Sequence, residues 1–81
     1  MTSRIARLRA PADFGLAIQQ ARMARGLSQA QLAEQLDLSQ SMVSEIETGK
    51  STIYLRRLLE LARATGVRLT ATWEDDDASR D

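Results

Sequence analysis

Gln40, Ser41, Ser44 and Glu45 are the side chains of this sequence best placed to touch a ligand. They lie in the run QSMVSEIE, in which Val43 and Ile46 mark one side. Helical spacing turns the four polar groups to the opposite, outward face. Short polar groups at the start of a helix with an apolar back suit a reader of DNA base edges. The tip enters the major groove while the back stays in the core. Gln40 can donate and accept at once, which matches adenine N6 and N7; the competing reading is a solvated first-turn residue. Ser41 and Ser44 are small enough to reach bases or phosphates. Met42 suits a thymine methyl or the core, and core packing is the stronger reading. Glu45 is harder to place, because a carboxylate repels phosphates and has one base-edge use, accepting from cytosine N4. It reads a cytosine, penalises wrong sequences, or is paired within the chain by Arg57 or a neighbour. The pairing ranks first.

Phosphate anchors flank this tip. Gln29 opens a helix, where unsatisfied N–H groups and the helix dipole favour an anion and its amide adds a donor. Capping is the alternative for Gln29, but Ser28 and Gln31 already supply it. Lys50 follows Gly49 and is the natural second clamp; the Ser39 and Thr52 hydroxyls can join it. Ser51 and Arg25 are weaker candidates.

Four helices must hold these groups. Pro11 suits a first helical turn, and Phe14, Ala17, Ile18, Ala21 and Met23 give the apolar spacing of a helix that closes at Gly26. Ser28-Gln29-Ala30-Gln31 is a capping box opening a second helix over Gln29 to Leu36, with Leu32, Ala33 and Leu36 inward and Leu38 packing beneath. Ser39 caps a third helix from Gln40 to about Thr48, ended by Gly49. Two helices of about eight residues joined by a three-residue turn spell helix-turn-helix, and helices this short must dock on one another to persist. A fourth helix follows Thr52 and stops at Gly66, with Leu55, Leu58, Leu59, Leu61 and Ala62 apolar.

At Val67 the period changes from 3.6 to 2. Val67, Leu69, Ala71 and Trp73 point one way, and Arg68, Thr70 and Thr72 the other, as in a half-buried strand. A lone strand is not stable. Its first solution is the same strand of a second subunit, antiparallel across a two-fold axis, which makes those four residues a dimer interface. Its second is Arg4–Arg9, whose alternation is poor.

The chain of 81 residues therefore divides into a basic arm (1–10), a helix-turn-helix domain (11–66), a dimerisation strand (67–73) and an acidic tail (74–81). Eleven bases balance eleven acids, yet the tail holds five acids and one Arg, leaving residues 1–73 with ten bases, six acids and a net +4. Ten of the bases are Arg, the side chain suited to phosphate. Cys and His are both absent, which removes disulfides, zinc sites of the usual kind and imidazole catalysis. No nucleophile with a base stands at motif spacing, so no enzyme, cofactor or metal is expected. Asp75-Asp76-Asp77 reads as a solvated, disordered tail rather than a cation site. No run approaches the ~20 apolar residues of a membrane span, and the expected location is the cytoplasm.

The stretch Leu27–Lys50 resembles the helix-turn-helix of lambda-type phage repressors and Cro-like regulators. The matches are Gln29, Leu32-Ala33, the turn at Leu38-Ser39 and Ile46-Glu47-x-Gly49-Lys50. The resemblance extends over about Phe14–Val67. It implies a mainly α, lambda repressor-like core of four helices, and double-stranded DNA carrying an inverted repeat as the partner of a homodimer. It also implies a partly buried salt bridge between Arg22 and Glu47. The turn position held by Asp37 is usually Gly in such proteins, because it needs a positive φ that Asp tolerates. A core of this kind followed by one strand resembles the HipB-type antitoxins, whose strands pair across the dimer. That resemblance implies an autoregulating repressor that also binds a HipA-type kinase toxin. The alternative is a protein-interaction module for such a partner, with DNA binding incidental.

Overall fold

The computed structural model describes residues 2–75. The order is β1 (Thr2–Arg7), α1 (Pro11–Ala24), α2 (Gln29–Leu36), α3 (Gln40–Glu47), α4 (Ile53–Thr65) and β2 (Thr70–Asp75). The helix starts follow their caps. Ser28 Oγ accepts from the Gln31 N–H at 3.0 Å while the Gln31 side chain accepts from the Ser28 N–H at 2.8 Å. Ser39 Oγ accepts from Met42 N–H and Thr52 Oγ1 from Leu55 N–H. Asp37 ends α2 at φ 55°, the one non-glycine residue with positive φ among the described residues. That conformation turns the chain into α3.

α1 and α2 both pack on α3. Ala17, Ala33, Val43 and Leu59 form the buried core. The closest approach is at Gly15. A Cβ there would run into the Ile46 carbonyl oxygen and lie 2.6 Å from that of Glu47, so only glycine lets α1 rest on the end of α3. α4 touches the rest of the chain more lightly. Leu59 is its buried residue, and Arg63 Nη1 donates to the Arg9 carbonyl at 3.0 Å.

Of the two solutions for the C-terminal strand, the second, pairing with the N-terminal segment of the same chain, is the one present, over Thr2–Arg7 rather than Arg4–Arg9. β1 and β2 pair antiparallel, Thr2 opposite Asp75 and Arg7 opposite Thr70, and Leu8 N–H extends the ladder to the Leu69 carbonyl at 2.8 Å. The basic arm is thus a strand, despite its weak alternation. Cross-strand polar bonds substitute for the missing pattern: Ser3 Oγ donates to Glu74 Oε1, and Arg4 Nε to Asp75 Oδ2. β2 also begins later and ends later than 67–73. Val67 N–H turns back to the Ala62 carbonyl, and Glu74 and Asp75 are strand residues rather than tail because β1 reaches them. Residues 76–81 of the expected tail lie outside the described residues.

Leu69, Ala71 and Trp73, expected to face a second subunit, are half-buried within the chain, and Val67 is exposed. Trp73 stands beside Gln20, Met23 and Ala24 of α1, and its Nε1 is buried with no hydrogen-bond partner among the described residues. Several other residues expected in the core are open: Ile18, Met23, Leu36, Leu38, Met42, Ile46, Leu58 and Leu61 are all exposed. So short a chain has too few elements to cover every apolar face that its helices present.

Candidate nucleic-acid interface

α3 is built to expose one end and bury the other. Ser39 holds the first turn and leaves Gln40 and Ser41 exposed, with Ser44 half-buried one turn on. Neither Gln40 nor Ser41 has its side chain engaged in a hydrogen bond among the described residues. Val43 and Glu47 are the buried members of the helix, so the polar tip is fixed from behind. Met42 is exposed at the rim of a groove with Phe14, Ile18 and Leu55, a place between the two readings of the sequence.

The fixing point is Glu47. Its side chain is fully buried, and it accepts from Arg22 Nε at 2.6 Å, from Arg22 Nη2 at 3.0 Å and from Gln29 Nε2 at 3.0 Å. Arg22 Nη1 donates to the Leu27 carbonyl at 2.7 Å, tying the α1–α2 turn into the same knot. Hydrogen bonding from Arg22 holds the Glu47 carboxyl below its ordinary range against the opposing effect of burial, with Gln29, the Arg22 charge and Gln19 adding to the lowering. The same bond to Glu47 raises the Arg22 guanidinium. The network joins α1, α2 and α3, the three elements that set the attitude of the α3 tip.

Gln29 therefore has a job inside the chain. One N–H of its amide is committed to Glu47, and an amide nitrogen carries a second donor. The first-turn N–H groups of α2 lack intrahelical acceptors by geometry, and Ser28 takes that of Gln31. Gln19 was not singled out from the sequence, though it stands three residues before Arg22 on the same side of α1, spacing that brings two side chains together.

The expected pairing of Glu45 within the chain is present, and the partner is a neighbour rather than Arg57. Arg57 bonds Glu60 within α4 at 2.8 Å, whereas Glu45 Oε1 takes Lys50 Nζ at 3.3 Å. Glycine 49 brings this about: with φ at +94° it folds the chain after α3 back toward Glu45, and lies against Ala12. The Glu45–Lys50 pair is open to solvent, with side-chain exposures of 48% and 73%, so it is weak and easily exchanged. Ser51 Oγ accepts from Arg56 Nη1 at 3.4 Å, and Ser39 and Thr52 spend their hydroxyl oxygens as caps.

Two short helices at a fixed turn, the second with a free polar N-terminal end, define a DNA-binding regulator of the helix-turn-helix class. A helix-turn-helix family model matches residues 18–71, most of the chain, and the protein belongs to that XRE-type, Cro-like family of sequence-specific DNA-binding regulators. It is a regulatory family and not an enzyme family. Comparison with curated proteins and with solved structures gives no match. Among the described residues, no helix is long and apolar enough to cross a membrane.

Proposed function

We propose that this protein is a transcriptional repressor that binds an inverted-repeat operator as a homodimer and serves as the antitoxin of a HipBA-type pair. The observation that carries the repressor reading is the exposed, unengaged tip of α3 backed by the buried Glu47 network. In this reading Gln40 reads a base, Ser41 and Ser44 contact bases or phosphates, and Ser39 lies close to the backbone. Lys50 leaves Glu45 to take a phosphate, and Gln29 offers its second amide N–H to another. Two tips lie about one helical turn apart, ~34 Å, on the duplex. The net +4 of residues 1–73 steers the encounter.

Support for the antitoxin role is the resemblance of a repressor-like core followed by a strand to HipB-type proteins. A kinase-like HipA-type toxin is then the protein partner. The test is mobility shift with DNA from the protein's own promoter, alongside co-purification with the product of the adjacent reading frame. Wild type should retain a fragment bearing an inverted repeat at low salt. The Gln40→Ala/Ser44→Ala variant should lose the DNA and keep the toxin. Retention of no promoter fragment by the wild type would sink the repressor reading, and loss of both partners in the variant would favour a single interaction surface.

A further inference from the structure

α4 carries an apolar stripe with nothing on it. Tyr54, Leu58 and Leu61 follow one another at i, i+4 and i+7, the spacing of one helix face, and are 77%, 43% and 63% exposed. Beside them Leu55 forms one wall of a groove of about 600 Å³ between α1, α3 and the start of α4, walled also by Phe14, Ile18 and Ile46. Stripe and groove meet at Leu55 and Leu58, one turn apart. For a 9.0 kDa chain whose buried apolar residues are Ala17, Ala33, Val43 and Leu59, this is a large apolar area to leave in water.

We propose that the stripe is the homodimer contact: α4 of one copy packs antiparallel on α4 of a second, with Leu58 at the two-fold axis. This rests on the homodimer reading given above and replaces the strand with the helix as the surface that makes it. Three observations favour a second copy as the occupant. First, the stripe is self-complementary. A two-fold through Leu58 sets Tyr54 of one copy against Leu61 of the other, so a large ring meets a branched side chain twice. Second, the charges beside it complement themselves. Arg57 and Glu60, paired with each other at 2.8 Å within the helix, flank the stripe on one side and are 66% and 49% exposed. The antiparallel arrangement brings Arg57 of each copy next to Glu60 of the other, within ~1.5 Å along the axis. Third, the competing surface is partly occupied. One edge of β2 is taken by β1, and its apolar side is half-buried against α1. A helix of 13 residues offers about 20 Å of contact. None of the α4 stripe belongs to α3, so the reading tips stay uncovered.

The native chain has no cysteine, which allows a direct test. Leu58→Cys and Thr72→Cys are made singly in the full chain and exposed to a mild oxidant at micromolar concentration. Two Leu58→Cys chains on a shared axis should become disulfide-linked within minutes. Thr72→Cys, on the open face of β2, reports a sheet-edge dimer and should stay monomeric on a denaturing gel. Sedimentation of the wild type should give twice the chain mass, and Leu58→Glu should give a single-chain particle with an unchanged helical circular dichroism spectrum. Arg57→Glu and Glu60→Arg should each weaken association and restore it when the two variants are mixed. Cross-linking through Thr72→Cys with none through Leu58→Cys overturns the α4 contact and leaves the homodimer standing. A wild type that sediments as one chain overturns the α4 contact too, and if it also occupies an inverted repeat as one chain, the homodimer falls with it.

Discussion

Arg22 and Glu47, 25 residues apart, meet through two N–H···O bonds of 2.6 and 3.0 Å in a site where the Glu47 side chain is fully buried. Removing one member leaves the other as an uncompensated buried charge, which costs about 3–5 kcal/mol. Arg22→Ala should therefore lower the melting temperature by well over ten degrees, given roughly 4–8 °C per kcal/mol for a domain of this size. DNA binding should be lost only as the fold is lost. Normal melting with lost binding would make Arg22 a phosphate contact instead.

The same pair sets an acid limit. Glu47 titrates below the ordinary carboxylate value when folded, so its contribution is complete above the unfolded value of about 4.3. It is lost as the pH falls through the lower folded value. Melting temperature should drop in acid. The gap between wild type and Glu47→Gln, wide at pH 7, should narrow as the pH falls below ~4; a constant gap would show that Glu47 is not the group responsible.

Gly15→Ala runs against propensity, since alanine is the better helix former by about 1 kcal/mol. The added Cβ meets two backbone carbonyls of α3 that cannot swing aside. The variant should lose about 1–3 kcal/mol in a denaturant melt and bind DNA more weakly because the α3 tip is displaced. Gly26, where nothing lies within 4 Å, separates the two causes. Its alanine variant bears only the strain of positive φ. Should Gly15→Ala prove the more stable of the pair, the close contact between α1 and α3 is wrong.

Gln40→Ala removes a side chain that supports nothing else. Its melt should match the wild type, while affinity for the operator drops roughly 5- to 150-fold, the worth of about 1–3 kcal/mol for a bidentate base contact. Affinity for scrambled DNA should hardly move. Equal losses on both, measured by fluorescence anisotropy, would place Gln40 on a phosphate.

Glu45→Gln frees Lys50 from its 3.3 Å partner and removes a negative charge from the interface. DNA affinity should rise and its salt dependence steepen. Lys50→Ala should lower the slope of log K against log salt by about 0.9. Weaker operator binding by Glu45→Gln, confined to one base position, would instead mark Glu45 as a reader of cytosine.

Helix starts were legible because caps act locally: Ser28, Ser39 and Thr52 each answer to a residue three positions away. Positive φ at Asp37 was implied by the resemblance to Cro-like regulators, and it too is a local feature. What the sequence concealed were relations across distance. The β1–β2 ladder joins residues more than sixty positions apart, and β1 lacks the alternation that would announce it, since Ile5 faces outward at 75% exposure. Gly15 lies mid-helix, where glycine costs helicity, and is a contact. Glu45 had several basic residues to choose from, and the backbone at Gly49, not charge, selected Lys50. Apolar spacing correctly marked faces on α1, α3 and α4 but not which of them the chain itself could cover.

The ladder between Thr2–Arg7 and Thr70–Asp75 also orders events during synthesis. The first strand leaves the ribosome with nothing to bind, and all four helices are made before its mate emerges. The helical domain must find its shape with that ribbon open, and closing the large ring is a last step whose entropic cost falls after the interior has formed. Fraying of the ribbon is accordingly one opening available to the folded molecule, and amide exchange should reach Arg4 and Trp73 before it reaches Val43.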